Sequence, residues 1–191
     1  EVAGHIGMIL RSTIKVKRGI GTIRQDVNVS IKGGDRIEIK GAQDLKLIPL
    51  WVENEAKRQI CLLEIKELVK GIKIPEEIHD ITSLFKKSES KVIKSALTKK
   101  GVIKAIKLPS FATLLGKETM PGRRVGSELS DYGKQAGGVG GLFHSDELPK
   151  YGITEEDIEN IRSLLKCHDK DAFIIIADQE NKVDKALRAV I

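Results

Sequence analysis

The chain is 191 residues long, with 33 Lys and Arg against 27 Asp and Glu and a formal net charge of +6. At 40% hydrophobic and 31% charged residues it has the composition of one large folded domain or two small ones, and is not that of a disordered chain. Aromatics are only 4% of residues, no apolar run approaches the ~20 residues of a membrane span, and Cys61 and Cys167 cannot build a disulfide framework or a Cys-rich zinc site. Base stacking on repeated rings is thereby disfavoured, and a reducing, cytoplasmic setting with no membrane association is expected.

Directly after Glu1, Val2, Ile6 and Ile9 or Leu10 recur at helical spacing. A chain that opens inside an amphipathic helix is expected to be an internal piece of a longer protein, so any active site in it is expected to be partial. Charge is uneven: net +5 over residues 1–75, +4 over 76–110 and −3 over 111–191. Together with Gly71, Pro75 and a polar stretch to Ser90, this shift suggests a junction near residues 71–85.

Thr13 to Lys17 is rich in β-formers, and Arg18-Gly19-Ile20-Gly21 reads as a turn. Thr22 to Ile31 alternates along a strand, with Ile23, Val27, Val29 and Ile31 on one side and Arg24, Asp26, Asn28 and Ser30 on the other. After Lys32-Gly33-Gly34-Asp35, Ile37 and Ile39 oppose Arg36, Glu38 and Lys40. To put both apolar sets on one face, paired residue numbers must add to an even total. That excludes a two-residue Gly-Gly loop and favours a loop of three or five residues. Asp26, Asn28, Glu38 and Lys40 then become neighbours, with Arg24 at the far end.

Two readings of that face are open. It is a solvated sheet face with cross-strand ion pairs, each worth roughly 0.2–1 kcal/mol. Or its two carboxylates and amide oxygen are hard ligands for Mg²⁺, which takes one or two carboxylates and shares the phosphates of its nucleotide, while Arg24 and Lys40 hold phosphate.

Pro49 suits the first turn of a following helix. Its expected buried stripe is Val52, Ala56, Ile60, Leu63 and Glu67, widened by Leu62, Ile65 and Val69, and Cys61 reads as buried and inert. From Ser83 to Lys107 there are eight lysines against one acid, Glu89. They form either a solvated face or an RNA-facing surface, in which Lys86, Lys87, Lys91 and Lys94 meet phosphates and Arg123-Arg124 adds a planar fork.

The remainder alternates. Val92 to Leu97 is a helix interior, 101–108 a strand, 125–135 a helix and 138–143 a short strand. Thr154 caps a helix with Asp157 three residues on. The apolar 171–177 is a central strand, and Asn181 or Asp178 opens a final helix. This rhythm predicts an α+β chain: an antiparallel hairpin and helix (residues 1–80), then a mixed-sheet α/β module (residues 81–191). Gly137 to Gly141 lacks the Lys-Ser/Thr of a P-loop, His144-Ser145-Asp146 reads as turn chemistry, and Cys167-His168 lacks metal-ligand spacing.

The string Gly21-Thr22-Ile23-Arg24-Gln25-Asp26-Val27-Asn28-Val29-Ser30, then Arg36-Ile37-Glu38-Ile39-Lys40-Gly41 and Glu53 to Gln59, resembles the family formed by the B and E chains of tRNA-dependent amidotransferases. Gln25, where the bacterial B type usually has Cys, makes it more similar to the archaeal E type. So do Asp80-Ile81-Thr82, Gly101 to Ala105, Pro121-Gly122-Arg123-Arg124 and Phe143 to Pro149. These resemble an inserted domain shared with bacterial-type aspartyl-tRNA synthetase, the GAD domain. The resemblance implies that residues 1–80 end a catalytic cradle and that 81–191 are the insert. It also implies use of ATP and Mg²⁺ to activate the glutamate of Glu-tRNA(Gln) as an acyl phosphate, amidated by ammonia from an asparaginase-like D subunit. Asp26, Asn28 and Glu38 are then catalytic, with Asp26 and Glu38 on the metal and Arg24 and Lys40 on the nucleotide. Further metal ligands are expected before Glu1, so that this stretch alone is inactive or serves only to dock tRNA or another domain.

Overall fold

The computed structural model describes residues 1–19 and 21–191 and divides into two compact units, 1–64 with 119–121 and 65–118 with 122–191. The division falls ahead of the 71–85 stretch expected from composition, inside the helix that spans 48–68. The turn expected at 18–21 includes Ile20, which lies outside the described residues.

The first unit opens with helix α1 (Val2–Ser12), which carries Val2, Ile6 and Ile9 as the spacing predicts, all three exposed. The β-rich stretch from Thr13 does not become a strand. Thr13 caps the helix, and Ile14 takes a φ of 60°, which no strand contains. Strands β1 (Val27–Val29) and β2 (Ile37–Ile39), shorter than the sequence suggests, pair antiparallel with Val27 opposite Ile39, Asn28 opposite Glu38 and Val29 opposite Ile37. Partner numbers add to an even total, as the alternation requires. Between the strands the Gly34 N–H donates to the Ile31 carbonyl at 3.0 Å, and Gly33 at the third turn position has φ 85°, where a side chain would be strained.

Helix α2 (Ile48–Leu68) follows, with Pro49 in its first turn. Its expected apolar stripe is corrected. Val52 and Ile60 are exposed and Glu55 and Gln59 are buried, whereas Cys61 and Ile65 are buried as expected. Periodicity shows which residues share a face but not which face meets a neighbour. Here the Gln59 amide donates to the Val29 carbonyl, so a polar side of the helix turns to the hairpin.

In the second unit, β3 (His79–Asp80) and a 3-10 turn (Thr82–Phe85) lead to helix α3 (Lys91–Thr98) and strand β4 (Val102–Leu108). Strand β5 (Glu118–Met120) falls mostly in the first unit, and β6 (Arg123–Arg124) precedes helix α4 (Val125–Gly137). Then come β7 (Phe143–His144), a 3-10 turn (Ser145–Glu147), α5 (Glu155–Leu164), β8 (Ala172–Asp178) and α6 (Glu180–Val190). The sheet order is β3-β4-β8-β7 and every pair is antiparallel. The α+β class holds, but the sheet is not mixed: an alternating rhythm says that helices cover a sheet and leaves strand direction open. Thr154 and Asp157 form the reciprocal cap as expected, whereas α6 starts from Gln179 rather than Asn181 or Asp178.

Strand β8 is buried on both faces, which is why Phe173 to Ile176 carry no polar position. Phe173 and Ile175 join Ile103, Ala105, Ile93 and Ile161 in one core layer. Across the sheet, α4 packs on α6 through Gly133 and Gly137, which lie against Ala186. Lys104 bridges β4 to α6, with Nζ 2.8 Å from both Glu180 and Asp184. Burial opposes its charge, yet the bonds to Asp184 and Glu180 outweigh this and hold its pKa up.

Asp171 ties the start of β8 to its surroundings. Its carboxylate accepts from the N–H groups of Ser110 and His168 and pairs with Lys107 at 2.9 Å. Burial alone would raise its pKa, but the His168 N–H, the Lys107 ammonium and the Ser110 N–H hold it at about 2. A depressed carboxyl pKa stabilises the fold above the unfolded value near 4, and that stability is lost as pH falls toward 2. Asp171→Asn is expected to flatten the acid limb of the urea-derived stability profile between about pH 4 and 2, by on the order of 2 kcal/mol.

Candidate functional site

The observed register puts Asn28 and Glu38 on the exposed side of the hairpin, while Arg24 and Asp26 ahead of β1 and Lys40 in the turn after β2 lie outside the paired strands and are also exposed. Asn28 stands directly opposite Glu38. Lys40 Nζ lies 3.4 Å from a Glu38 carboxylate oxygen. One Asp26 oxygen accepts from the Gly41 N–H at 2.8 Å. Beside it, the Gln25 side-chain amide donates to the Ala42 carbonyl, and the Ala42 N–H donates back to the Gln25 carbonyl at 3.0 Å. Gln25 and Asp26 therefore fasten the chain leaving β2 to the chain entering β1, which fixes Asp26 beside Gly41. Gln25 has a structural task in this latch and Asp26 a share of it.

The exposed groups here are two carboxylates, an amide oxygen and two cations. Among the described residues no group of three His, Cys, Asp or Glu side chains is placed to hold a metal by itself. That donor set fits a hard ion carried in by a phosphate ligand, which needs one or two carboxylates and takes its other oxygens from phosphate and water. It does not fit a closed protein cage such as a structural zinc site.

Behind the face, on α2, lies a polar cluster that the apolar-stripe reading missed. Glu55 and Gln59 are buried. Gln59 Nε2 donates to Glu55 at 3.0 Å and to the Val29 carbonyl at 3.3 Å, and Arg58 pairs with Glu55 at 3.2 Å. The signal was present in the four-residue spacing of Glu55 and Gln59, which places both on one helical face. The cluster holds β1 from its inner side, one residue beyond Asn28.

The lysine-rich stretch is laid out more loosely. Lys86 and Lys87 are exposed after the 3-10 turn, and Lys91 and Lys94 are exposed on α3. Lys94 pairs with Glu89 at 2.8 Å. Arg123 pairs with Asp131 at 2.7 Å, and this bond outweighs burial in holding the Asp131 carboxyl low, whereas Arg124 is exposed.

The positions set aside as turn chemistry have structural partners, but distant ones and not those of a local turn. Asp146 accepts from the N–H groups of Thr113 and Gly116 at 3.0 Å each, and the Phe173 N–H donates to the Ser145 hydroxyl. His144 is buried against Gly126, and burial lowers its pKa, with Glu147 and Asp146 opposing and Arg124 assisting. Cys61 is buried, and burial raises the pKa of the Cys167 thiol. No helix among the described residues is long and apolar enough to cross a membrane.

Comparison with known proteins gives two domain matches: the GatB/GatE catalytic domain over residues 1–125 and the GAD domain over residues 93–187. Among curated proteins, the E-type chain of the glutamyl-tRNA(Gln) amidotransferase of Methanococcus maripaludis strain C7 is 60% identical over 193 residues, spanning 100% of this chain and 31% of the relative. The corresponding E-type chains of Methanocaldococcus jannaschii and Pyrococcus furiosus are 56% and 52% identical, again over 100% of this chain and 31% of their own length. The chain thus spans about a third of these relatives.

Proposed function

The chain belongs to the GatB/GatE catalytic-domain family, and on that footing we propose that it supplies part of the centre in which a tRNA-dependent amidotransferase activates glutamate on tRNA(Gln). In this reading the full-length protein converts Glu-tRNA(Gln) to Gln-tRNA(Gln). A carboxylate resists nucleophiles because its departing group would be oxide. Transfer of a phosphoryl group from ATP to the glutamate side chain turns that oxygen into part of a phosphate, and ammonia then displaces phosphate at the carbonyl carbon. A magnesium-ATP complex supplies the phosphoryl group and neutralises its charge.

The residues of this chain have the following parts. Asp26 and Glu38 offer the carboxylate oxygens for Mg²⁺, and Asn28, opposite Glu38, orients the phosphate from the same face. Arg24 and Lys40 hold phosphate oxygens. The Glu55–Gln59 cluster is positioning: it fixes β1 from behind. Residues 1–80 are the end of the catalytic cradle and 81–191 the inserted domain. The ammonia comes from an asparaginase-like D subunit, the setting is cytoplasmic, and Lys86, Lys87, Lys91, Lys94, Arg123 and Arg124 face the tRNA. The observation that supports the catalytic part is the register pairing Asn28 with Glu38, with Lys40 3.4 Å from the Glu38 carboxylate. Family membership over residues 1–125 supports it.

The test is calorimetric titration of Mg-ATP into the full-length protein. Arg24→Ala and Lys40→Ala are each expected to weaken binding about tenfold, the size of one charge-assisted phosphate contact. Unchanged affinity in both variants removes nucleotide binding from this face and leaves the chain as a docking module for tRNA or a neighbouring domain.

A further inference from the structure

Between α3 and the last residues of β8 runs a groove of about 350 Å³ that the phosphate-handling face does not use. Strand β7 pairs with Ile174 and Ile175, and among the described residues no strand stands beside Ile176–Asp178 on that side of the sheet. The glycine run after α4 is the cause. Gly138 caps the helix in the left-handed region, at φ 66°, and the chain peels away from β8 until Phe143, leaving Gly140 as the far wall of the groove. The floor is apolar, with Ala96, Ala177 and Val92, the last 52% exposed. The rim is cationic. Lys91 and Lys99 line it, both exposed and neither with a carboxylate partner among the described residues. Asp178 also lines it, but its carboxylate accepts from the Gln179 N–H at 2.7 Å and lies 3.8 Å from Lys182. The walls are tied together, because the Gln179 side-chain amide donates to the Lys99 carbonyl at 2.7 Å.

We propose that this groove docks an extended acidic peptide, which adds as a strand to the open end of β8. An open strand end offers unpaired backbone donors and acceptors, and strand addition is the recognition mode they suit. Lys91 opens α3 and Lys99 is its C-cap, eight residues on, a rise of about 12 Å along the helix. Four residues of extended chain span about 13 Å and bring the first, third and fifth side chains to one face. The matching sequence is therefore acid, any residue, aliphatic, any residue, acid: the two carboxylates meet the lysines and the aliphatic side chain covers Val92 and Ala96. RNA is the poorer occupant. No aromatic ring lines the groove to stack a base, and phosphates need neither an apolar floor nor a strand edge.

The test titrates a capped peptide with the core Glu-Thr-Val-Thr-Glu into the isotopically labelled 191-residue chain at low salt, followed by amide resonances. Saturable shifts at Gly140, Ala177 and Asp178, weakening as salt rises, are expected. Lys91→Glu combined with Lys99→Glu is expected to weaken binding at least tenfold and to transfer it to the peptide with lysine at both ends. Because both lysines are exposed, unchanged circular dichroism will show the fold intact. Absence of saturable shifts at these amides, or failure of the charge-swapped pair to bind, overturns the proposal. So does an oligouridylate that occupies the same amides more tightly than the peptide, an outcome that would assign the groove to RNA.

Discussion

Asp26→Asn in the full-length protein is expected to lower ATP-dependent activation of tRNA-linked glutamate by at least about a hundredfold, with Glu38→Gln close behind. Each removes one of the two carboxylates that the outward face offers a divalent ion, and a metal site with one charge fewer loses both affinity and charge stabilisation during phosphoryl transfer. The amide variants are the informative ones. One Asp26 oxygen accepts from the Gly41 N–H, so Asp26→Ala would also release the chain leaving β2 and confound an activity loss with a local structural one. Asparagine keeps an acceptor for that N–H and removes only the charge. Single-turnover release of ADP in the presence of Glu-tRNA(Gln), read at several Mg²⁺ concentrations, separates the cases. Partial rescue by high Mg²⁺ is expected if Asp26 and Glu38 hold the ion. Wild-type rates in both variants would show that the face plays no chemical part.

The second large effect concerns the fold of the other unit. Gly137→Ala is expected to destabilise it by about 2–3 kcal/mol in urea unfolding, even though alanine is the better helix former by about 1 kcal/mol. A Cβ at this position would meet the Lys182 carbonyl oxygen, come within 2.7 Å of the Ala186 Cβ and within 2.9 Å of the Ala186 nitrogen. Two of these three neighbours are backbone atoms of α6, so no side-chain rotation relieves the contact, and α4 must move away from α6. Ala186→Gly removes the third neighbour and is expected to recover part of the loss, a coupling that a double-mutant cycle reads directly. Gly140→Ala, where nothing lies within 4 Å, is the control and is expected to stay within about 0.5 kcal/mol of wild type. Equal stability of Gly137→Ala and wild type would mean that the helices do not approach so closely.

These two positions also show what a sequence displays and what it withholds. The candidate face was legible because pleating has a period of two: once Val27, Val29, Ile37 and Ile39 share a side, Asn28 and Glu38 must share the other, and parity alone removes half of the possible registers. The Thr154–Asp157 cap was legible because its chemistry is local. The polar cluster on α2 was legible only in part: the spacing puts Glu55 and Gln59 on one helical face, but the Val29 carbonyl that Gln59 meets lies thirty residues away, a contact that no local pattern encodes. Ile14 was misread for a related reason: β-branched residues favour strands on average, yet here the residue closes the turn after α1. The direction of the sheet strands was hidden because an alternating order of helices and strands is compatible with either sense. The tight seat of Gly137 was hidden because a glycine near a helix end reads as a stop signal, whereas here it also makes room for α6.

The pairing of β4 with β8 has a consequence for the growing chain. Partners along this ladder are separated by 64 positions at Leu108 and Ala172 and by 76 at Val102 and Asp178. During synthesis β4 therefore leaves the ribosome well before the strand that completes its main ladder, and the centre of the sheet closes only once Asp178 has emerged. Closure across such a span is entropically costly and slow compared with local helix formation. Until then Ile103, Ala105 and Ile106 wait without their covering partners. The nascent chain passes through an interval in which a core strand is bare, the period when a holding chaperone would matter most to this protein.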